Sequence, residues 1–326
     1  MEDRRRVSDL WFPDADLLIE TRDRIFRVPG SILAETSETV RWMIGVGPNM
    51  YGEPKLVLSS NPAHVEYLLR AIFYPWYFPA PPARINFRLL NGVLRLSTEF
   101  NISHLRQPAL RHLSLGLPTT LKDFDEIWER DSTSGQWAAD LPLKWLVARD
   151  LRIYWALPFP LLILFSILDE HPDYLMELSS EVRVCFMEAR KRLRVILSNA
   201  LDTLDLTDAA SIIALRTAYS TQWRYAALIV CITPDLWDEG FAKLYSWRSR
   251  GVMKARFQLL RQGIWDGLPQ LSGFSSWDAL KAARDADLGT EKMPPMPAKR
   301  TRFPDVFLVC SVYFLCGCIF WGWLRS

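Results

Sequence analysis

The stretch Leu17-Leu-Ile-Glu-Thr-Arg-Asp-Arg-Ile-Phe-Arg-Val28 places two short apolar runs around a polar centre. Leu17–Glu20 and Ile25–Val28 are rich in the branched and aromatic residues that strands favour, and the four polar residues between them suit a turn. We therefore expect a β-hairpin at this point. Lys55–Leu58 is a third run of the same kind, so the sequence predicts a small, three-stranded sheet.

Helical patterns surround the hairpin. Ser31 is expected to cap a short helix that runs through Glu35, and Glu38–Ile44 predicts a second helix. Asn61-Pro62 combines a capping side chain with proline at the first helical position. The apolar residues behind it recur at helical spacing, and they are Val65, Leu68, Leu69, Ile72 and Phe73.

Two more helices are expected before Gly116. The aromatic and proline-rich stretch Tyr74–Pro82 should end the helix that Asn61 starts. The apolar positions of the two helices beyond it are Leu89, Leu90, Val93, Leu94, Phe100 and then Leu105, Ala109, Leu110, Leu113. Pro108 should delay the start of the second helix. Residues 8–118 are thus predicted to form an α+β domain with three strands and about five helices.

Residues 119–280 show almost no alternating pattern and are predicted to form an all-α domain. The expected helices are Asp123–Arg130, Leu141–Asp150, Trp155–Leu168, a stripe from Val182 to Leu204, Ala209–Thr217 and Phe241–Gln262. Trp155–Leu168 is apolar but short and contains two prolines, so a buried helix is favoured over a membrane span. Residues 281–302 are polar and rich in proline, which predicts a linker.

The composition excludes several classes of protein. The 326 residues include 39 basic and 37 acidic side chains, a net charge of +2, so no nucleic-acid partner is expected. Fourteen tryptophans indicate a packed core or an interface, and filling of the core is the preferred interpretation. Five cysteines do not form a disulfide scaffold. The charged start, Met1–Arg6, precedes no apolar run, which predicts an intracellular protein, either cytoplasmic or nuclear.

The residue types that carry catalysis or bind metals are scattered along the chain. The four histidines, which have no thiol or carboxylate at ligand spacing, are His64, His104, His112 and His171. Gly45-Val-Gly47 lacks the third glycine of a dinucleotide loop and is better interpreted as a turn. No phosphate-binding loop and no nucleophile elbow is present. We therefore expect no catalysis, no cofactor and no metal site.

The tail, residues 303–326, contains nineteen consecutive uncharged residues from Val306 to Leu324. A helix of this length is about 28 Å long, close to the thickness of the hydrocarbon core of a bilayer. Lys299–Arg302 supplies cations on one side and Trp321 an interfacial aromatic on the other, an arrangement that would leave the bulk of the chain in the cytosol. The alternatives are a segment packed on the helical domain and a read-through intron.

Eleven positions follow the pattern of a known family: acidic residues before the first strand, a strand hairpin, a helix entry with serine, and a series of helix ends. They are Asp14, Asp16, Phe26, Val28, Ser31, Leu33, Ser37, Met43, Tyr74, Leu94 and Leu105. In order and spacing these residues resemble a BTB/POZ domain, over about a third of the chain. Pro29 stands where that family usually has histidine.

Three later segments resemble the expanded BTB group of mushroom-forming fungi. Leu117–Leu121 is similar to its FPTTL motif, Ala148–Pro158 to its ARxxxLxxhLP motif, and Ile264–Leu280 to its FWDxLPxhFGLxxWxxL motif. Many members of that group have a cysteine pair, of which only Cys231 is present here, while Trp237 stands near the second position.

The resemblance implies protein–protein interaction, with self-association as a homodimer and binding of a protein partner, and no catalysis. The alternative that it implies is a substrate adaptor of a cullin-based ubiquitin ligase. No Kelch, MATH or zinc-finger module for client binding follows the first domain, which favours the plain interaction module.

Overall fold

The structure is a computed structural model, and it describes residues 5–46, 54–131, 141–170, 173, 179–202, 248 and 250–289. The chain divides into two compact units. The first extends to Leu115 and also includes Asp287–Gly289, and the second contains Gly116–Ala286 and the residues from Thr290 onward. The predicted boundary at residue 118 lies three residues beyond this division.

The first unit is an α+β structure. Its described elements, in chain order, are β1 (Arg5–Trp11), β2 (Leu17–Glu20), β3 (Arg24–Val28), α1 (Gly30–Thr36), α2 (Glu38–Val46), β4 (Lys55–Val57), α3 (Pro62–Phe73), a 3-10 turn (Pro75–Tyr77), α4 (Phe87–Glu99) and α5 (Ser103–Ser114). The predicted hairpin is confirmed, because β2 and β3 pair antiparallel. The prediction of a three-stranded sheet is wrong, because the sheet has four strands in the order β1-β3-β2-β4.

The strand that sequence reasoning missed is β1, which pairs parallel with β3. Its register shifts between Arg6 and Trp11. Because of this irregularity its buried residues, Val7 and Leu10, are three positions apart rather than two. The period-2 pattern that identifies a strand is therefore absent from the sequence.

The start of α1 differs from the prediction that Ser31 caps it. The helix begins at Gly30, one residue earlier, and Ser31 is exposed. The carboxylate of Asp16 accepts the hydrogen bond from the Gly30 amide instead, at 2.7 Å. An acidic side chain from outside the helix thus satisfies a first-turn amide, which also places negative charge at the positive end of the helix dipole.

The start of α5 also corrects a prediction. Pro108 was expected to delay this helix, but α5 begins at Ser103 and contains Pro108 as its sixth residue. A proline there removes one backbone hydrogen bond, whereas the burial of Ala109, Leu110 and Leu113 holds the helix against the core. By contrast, the predicted cap of α3 is confirmed, because Asn61 accepts from the amide of Ala63 at 2.9 Å.

All the regular elements that the structure describes in the second unit are helices. Its α-helices are α6 (Leu121–Asp131), α7 (Leu141–Asp150), α8 (Pro158–Glu170), α9 (Ser180–Asp202), α10 (Arg250–Gly267) and α11 (Trp277–Asp287). The last helix extends past Leu280, so the first part of the predicted linker is helical. Helix α8 has thirteen residues and packs as a buried helix, as predicted.

Aromatic rings fill the core between α6, α8 and α10. Phe124 lies 5.8 Å from Phe159 and 5.6 Å from Trp265, measured between ring centroids. Trp277 stacks on Trp265 at 5.1 Å and donates its indole N–H to the Trp265 carbonyl at 2.7 Å. The expectation that tryptophans fill the core is met in this unit.

Among the described helices, none combines the length and apolar character needed to cross a bilayer. The candidate anchor Val306–Leu324 lies outside the described residues, and so do the predicted helix Ala209–Thr217 and the first part of Phe241–Gln262. The prediction of an anchor therefore stays a prediction.

Candidate interaction surface

The eleven family-pattern positions are distributed through the first unit rather than gathered at one point. The buried ones are Phe26, Val28, Leu33, Ser37, Leu94 and Leu105. The others are half-buried or exposed, and they are Asp14, Asp16, Ser31, Met43 and Tyr74. Most of these residues therefore stabilise the fold, and a surface for binding must be formed by other, exposed side chains.

Ser37 joins three segments of the first unit. Its hydroxyl donates a hydrogen bond to the carbonyl of Phe100, just after α4, and accepts one from the amide of Val40 at 3.1 Å. It therefore starts α2 and fixes this helix to the end of α4. Because α1 ends immediately before Ser37, the same contact sets the corner between α1 and α2.

Two large apolar side chains project into solvent from this corner. Ile32 on α1 is 42% exposed and Trp42 on α2 is 67% exposed. The guanidinium of Arg41, next to Trp42, donates to the carbonyl of Ala34 on α1 at 3.0 Å. The exposed ring thus stands on a pair of helices that are fixed to each other. We call Ile32, Trp42 and the backbone between them the α1–α2 face.

Sequence reasoning missed the α1–α2 face, since it assigned the tryptophans to the core. A signal was nevertheless present in α2. Trp42 lies on the same side of the helix as Glu38 and Arg41, whereas the inward side has Val40. A tryptophan on the charged side of a short amphipathic helix indicates an interface rather than a core position.

Strand β1 forms one edge of the sheet, and charged groups hold it to α3. The guanidinium of Arg70 donates to both carboxylate oxygens of Asp9, at 2.7 and 3.2 Å. The Tyr74 hydroxyl donates to the Asp9 carbonyl. The hydrogen bond from Arg70 is the main cause that lowers the pKa of Asp9 below its usual value.

Glu66, which is buried, extends this network to the next strand. Its carboxylate pairs with Arg70 one turn along α3 and with Arg24 on β3. One acidic side chain therefore serves two guanidinium groups, as the burial of a carboxylate requires. Strands β1 and β3 are both connected to α3 through this network.

The opposite edge of the sheet, β4, is short. Lys55 pairs with Glu20 of the adjacent β2 at 2.7 Å, while Val57 points into solvent. Within the described residues, no further strand pairs with β4. A three-residue edge with a lysine is a weak template for strand addition, which makes the α1–α2 face the better candidate for binding.

The two buried histidines have structural partners. His112 shares a hydrogen bond with the Pro79 carbonyl at 2.8 Å and meets the edge of the Phe78 ring. Burial between α3 and α4, with Arg95 nearby, lowers the pKa of His64 to about 4. In the described part of the chain, no three histidine, cysteine or acidic side chains are grouped as metal ligands would be. His171 lies outside it.

No family model matches this chain, and no curated protein and no solved structure matches it either.

Proposed function

We propose that this protein is a protein–protein interaction module of the BTB/POZ type, whose first unit self-associates and binds a protein partner. The order of elements supports this proposal: after the first strand come the hairpin, two helices, one strand and then three α-helices. Two of the positions that carry the resemblance start helices, since Asp16 accepts from the first amide of α1 and Ser37 from an amide of α2.

The observation that carries the proposal is the exposed ring of Trp42 on the α1–α2 face. A tryptophan side chain gains more from burial than most others, and tryptophans are enriched among the residues that dominate binding energy. Ile32 provides a second apolar group on the adjacent helix. Two copies of such a face can meet about a twofold axis, because a homodimer presents the same patch twice.

Sedimentation equilibrium of the full chain over a range of concentrations tests this proposal. We expect a monomer–dimer equilibrium that Trp42→Ser weakens at least tenfold, because a buried aromatic anchor is lost. Trp76→Ser is the matched control, since Trp76 is 76% exposed but lies on the turn after α3. A chain that stays monomeric at tens of micromolar, or two variants with equal effect, would refute self-association through this face.

The alternative function is that of a substrate adaptor in a cullin-based ubiquitin ligase, for which the partner would be a cullin. A pull-down from native extract with the full chain as bait distinguishes the two, with cullin and other proteins scored separately. Enrichment of cullin that survives Trp42→Ser would favour the adaptor. Recovery of other proteins without cullin would favour the plain interaction module.

For the location of the protein we propose the cell interior, with Val306–Leu324 as a candidate membrane anchor. Carbonate extraction of the full chain and of a chain ending at Ala298 tests the anchor. We expect the full chain alone to stay with the membranes. If both chains are extracted, this segment does not anchor the protein.

A further inference from the structure

Helix α9 of the second unit has apolar side chains on two opposite sides. The residues of its inward side are Val182, Phe186, Ala189, Leu193 and Ile196, all of them buried. On the other side, Val184, Met187 and Val195 are 60%, 44% and 58% exposed. Their spacing of three and eight residues puts them on one line, about 16 Å long, that runs opposite the core. We call these three residues the outer line of α9.

The exposed apolar residues of the outer line form a continuous strip rather than isolated side chains. Single apolar side chains in solvent are ordinary, but three of them aligned on one helix form a surface that gains from being covered. Lys191 lies in the same line, and its aliphatic stem can continue the apolar surface while its charge stays at the margin.

The chain contains a segment that suits this surface. Val306–Leu324 has no charged residue, so it also gains from removal from water. As a helix it would be about 28 Å long, and the sixteen residues from 290 to 305 span up to about 50 Å when extended. Helix α9 itself, with 23 residues, is about 35 Å long.

Tethering favours this segment over a second copy of the chain. A covalent connection of about this length can give an effective concentration in the millimolar range, well above the concentration of a separate molecule. We propose that, in the absence of a bilayer, Val306–Leu324 binds in cis along the outer line of α9. This contact is separate from the self-association of the first unit and does not depend on it.

The charges beside the outer line fit one orientation of the segment. Glu181 and Glu188 lie along one edge of the line, with Arg192 further along the same edge, and Arg183, Arg190 and Arg194 lie along the other. Lys299–Arg302 precedes the apolar segment by a few residues. Its cations are attracted to the two carboxylates and repelled by the arginines, which favours entry of the segment beside Glu181 and Glu188.

Cross-linking of the full chain in detergent-free buffer tests the proposal. Met187→Cys is introduced after Cys185 and Cys231 are replaced by serine, and the native Cys310, Cys316 and Cys318 are kept. A short bis-maleimide linker is added, and the linked peptides are identified by mass spectrometry. We expect an intramolecular link from position 187 to the tail, at least five times the yield obtained from Leu259→Cys.

Leu259 on α10 is the matched control, because it is also an exposed apolar residue on a helix of the same unit. Adding Val184→Glu and Val195→Glu to the Met187→Cys chain should reduce the link at least fivefold. Equal yields at 187 and 259, links only between molecules, or a full chain that stays dissolved only in detergent would each overturn the proposal.

Discussion

The two units hold distant segments together by different means. In the first, Asp9, Arg70 and Glu66 fix the edge strand β1 to α3 through charged groups, and Asp9 is open to solvent. In the second, α6 and α10 meet through the rings of Phe124 and Trp265 and through the buried guanidinium of Arg261, which pairs with Asp125. Solvent weakens an exposed ion pair, whereas removing one partner of a buried pair leaves an uncompensated charge, so the loss of Asp125 should cost more than the loss of Asp9.

The largest effect is expected at the buried ion pair of the second unit. Asp125→Ala leaves Arg261 buried without its carboxylate, which costs about 3 kcal/mol in the free energy of unfolding. Urea unfolding of the full chain measures this loss. Glu126→Ala on the same helix removes only an exposed partner of Lys122, 3.8 Å away, and should change stability by less than about 0.5 kcal/mol. A similar loss in both variants contradicts the comparison.

The close contact between α9 and α10 gives the next largest effect. A Cβ atom at Gly267 would lie 2.4 Å from Cγ2 of Ile196, so Gly267→Ala should destabilise by about 2 kcal/mol. Adding Ile196→Ala removes the clashing atoms, and the double variant should lose less than the sum of the two single losses. At Gly251 on the same helix a Cβ meets nothing within 4 Å, so Gly251→Ala should not destabilise.

The first unit should respond to acid through His64. Its pKa of about 4 in the folded protein is below the usual 6.5, so the unfolded chain binds the proton more readily. The stability that depends on neutral His64 is fully present above pH 6.5 and is lost as the pH falls toward 4. The loss in the free energy of unfolding amounts to about 2 kcal/mol at pH 5. In urea unfolding at pH 7.5 and 5, His64→Leu should show a smaller pH dependence than the unchanged protein. An unaltered dependence would rule out this role.

The smallest effect is expected at the exposed end of the charged network. Asp9→Asn should cost about 1 kcal/mol or less, since this carboxylate lies partly in water. Its lowered pKa means that the contribution is present above the ordinary carboxylate pKa and disappears as the pH falls through the folded value. Repeating the urea titration in 1 M NaCl should shrink the difference. A loss above 2 kcal/mol that salt does not change would contradict the comparison.

The contrast between the units also explains what the sequence could predict. Regular patterns, such as the β2–β3 hairpin and the stripe of α9, depend on residues a few positions apart and were found correctly. The contacts that were missed join residues far apart in the chain. Asp16 caps α1 across 14 positions, and Arg261 reaches Asp125 across 136. The periodicity of apolar residues along a short stretch of sequence does not indicate such long-range pairs.

The exposed face was missed for a related reason. Composition predicts that tryptophans are buried, and Trp265 satisfies this rule while Trp42 does not. The difference lies in the neighbours on the helix surface, Glu38 and Arg41 beside Trp42, rather than in the residue itself. A surface of two residues on two helices becomes visible only when the corner at Ser37 is fixed in three dimensions.

The central claim is that two copies of the chain meet through the α1–α2 face, and a cross-linking measurement tests it most directly. Ile32→Cys and Leu115→Cys are prepared in chains whose native cysteines are replaced by serine. The two positions are matched in exposure, at 42% and 44%. With a short bis-maleimide linker, we expect a covalent dimer for Ile32→Cys and a monomer for Leu115→Cys. Equal dimer yields at the two positions, or no dimer from Ile32→Cys at tens of micromolar, would contradict it.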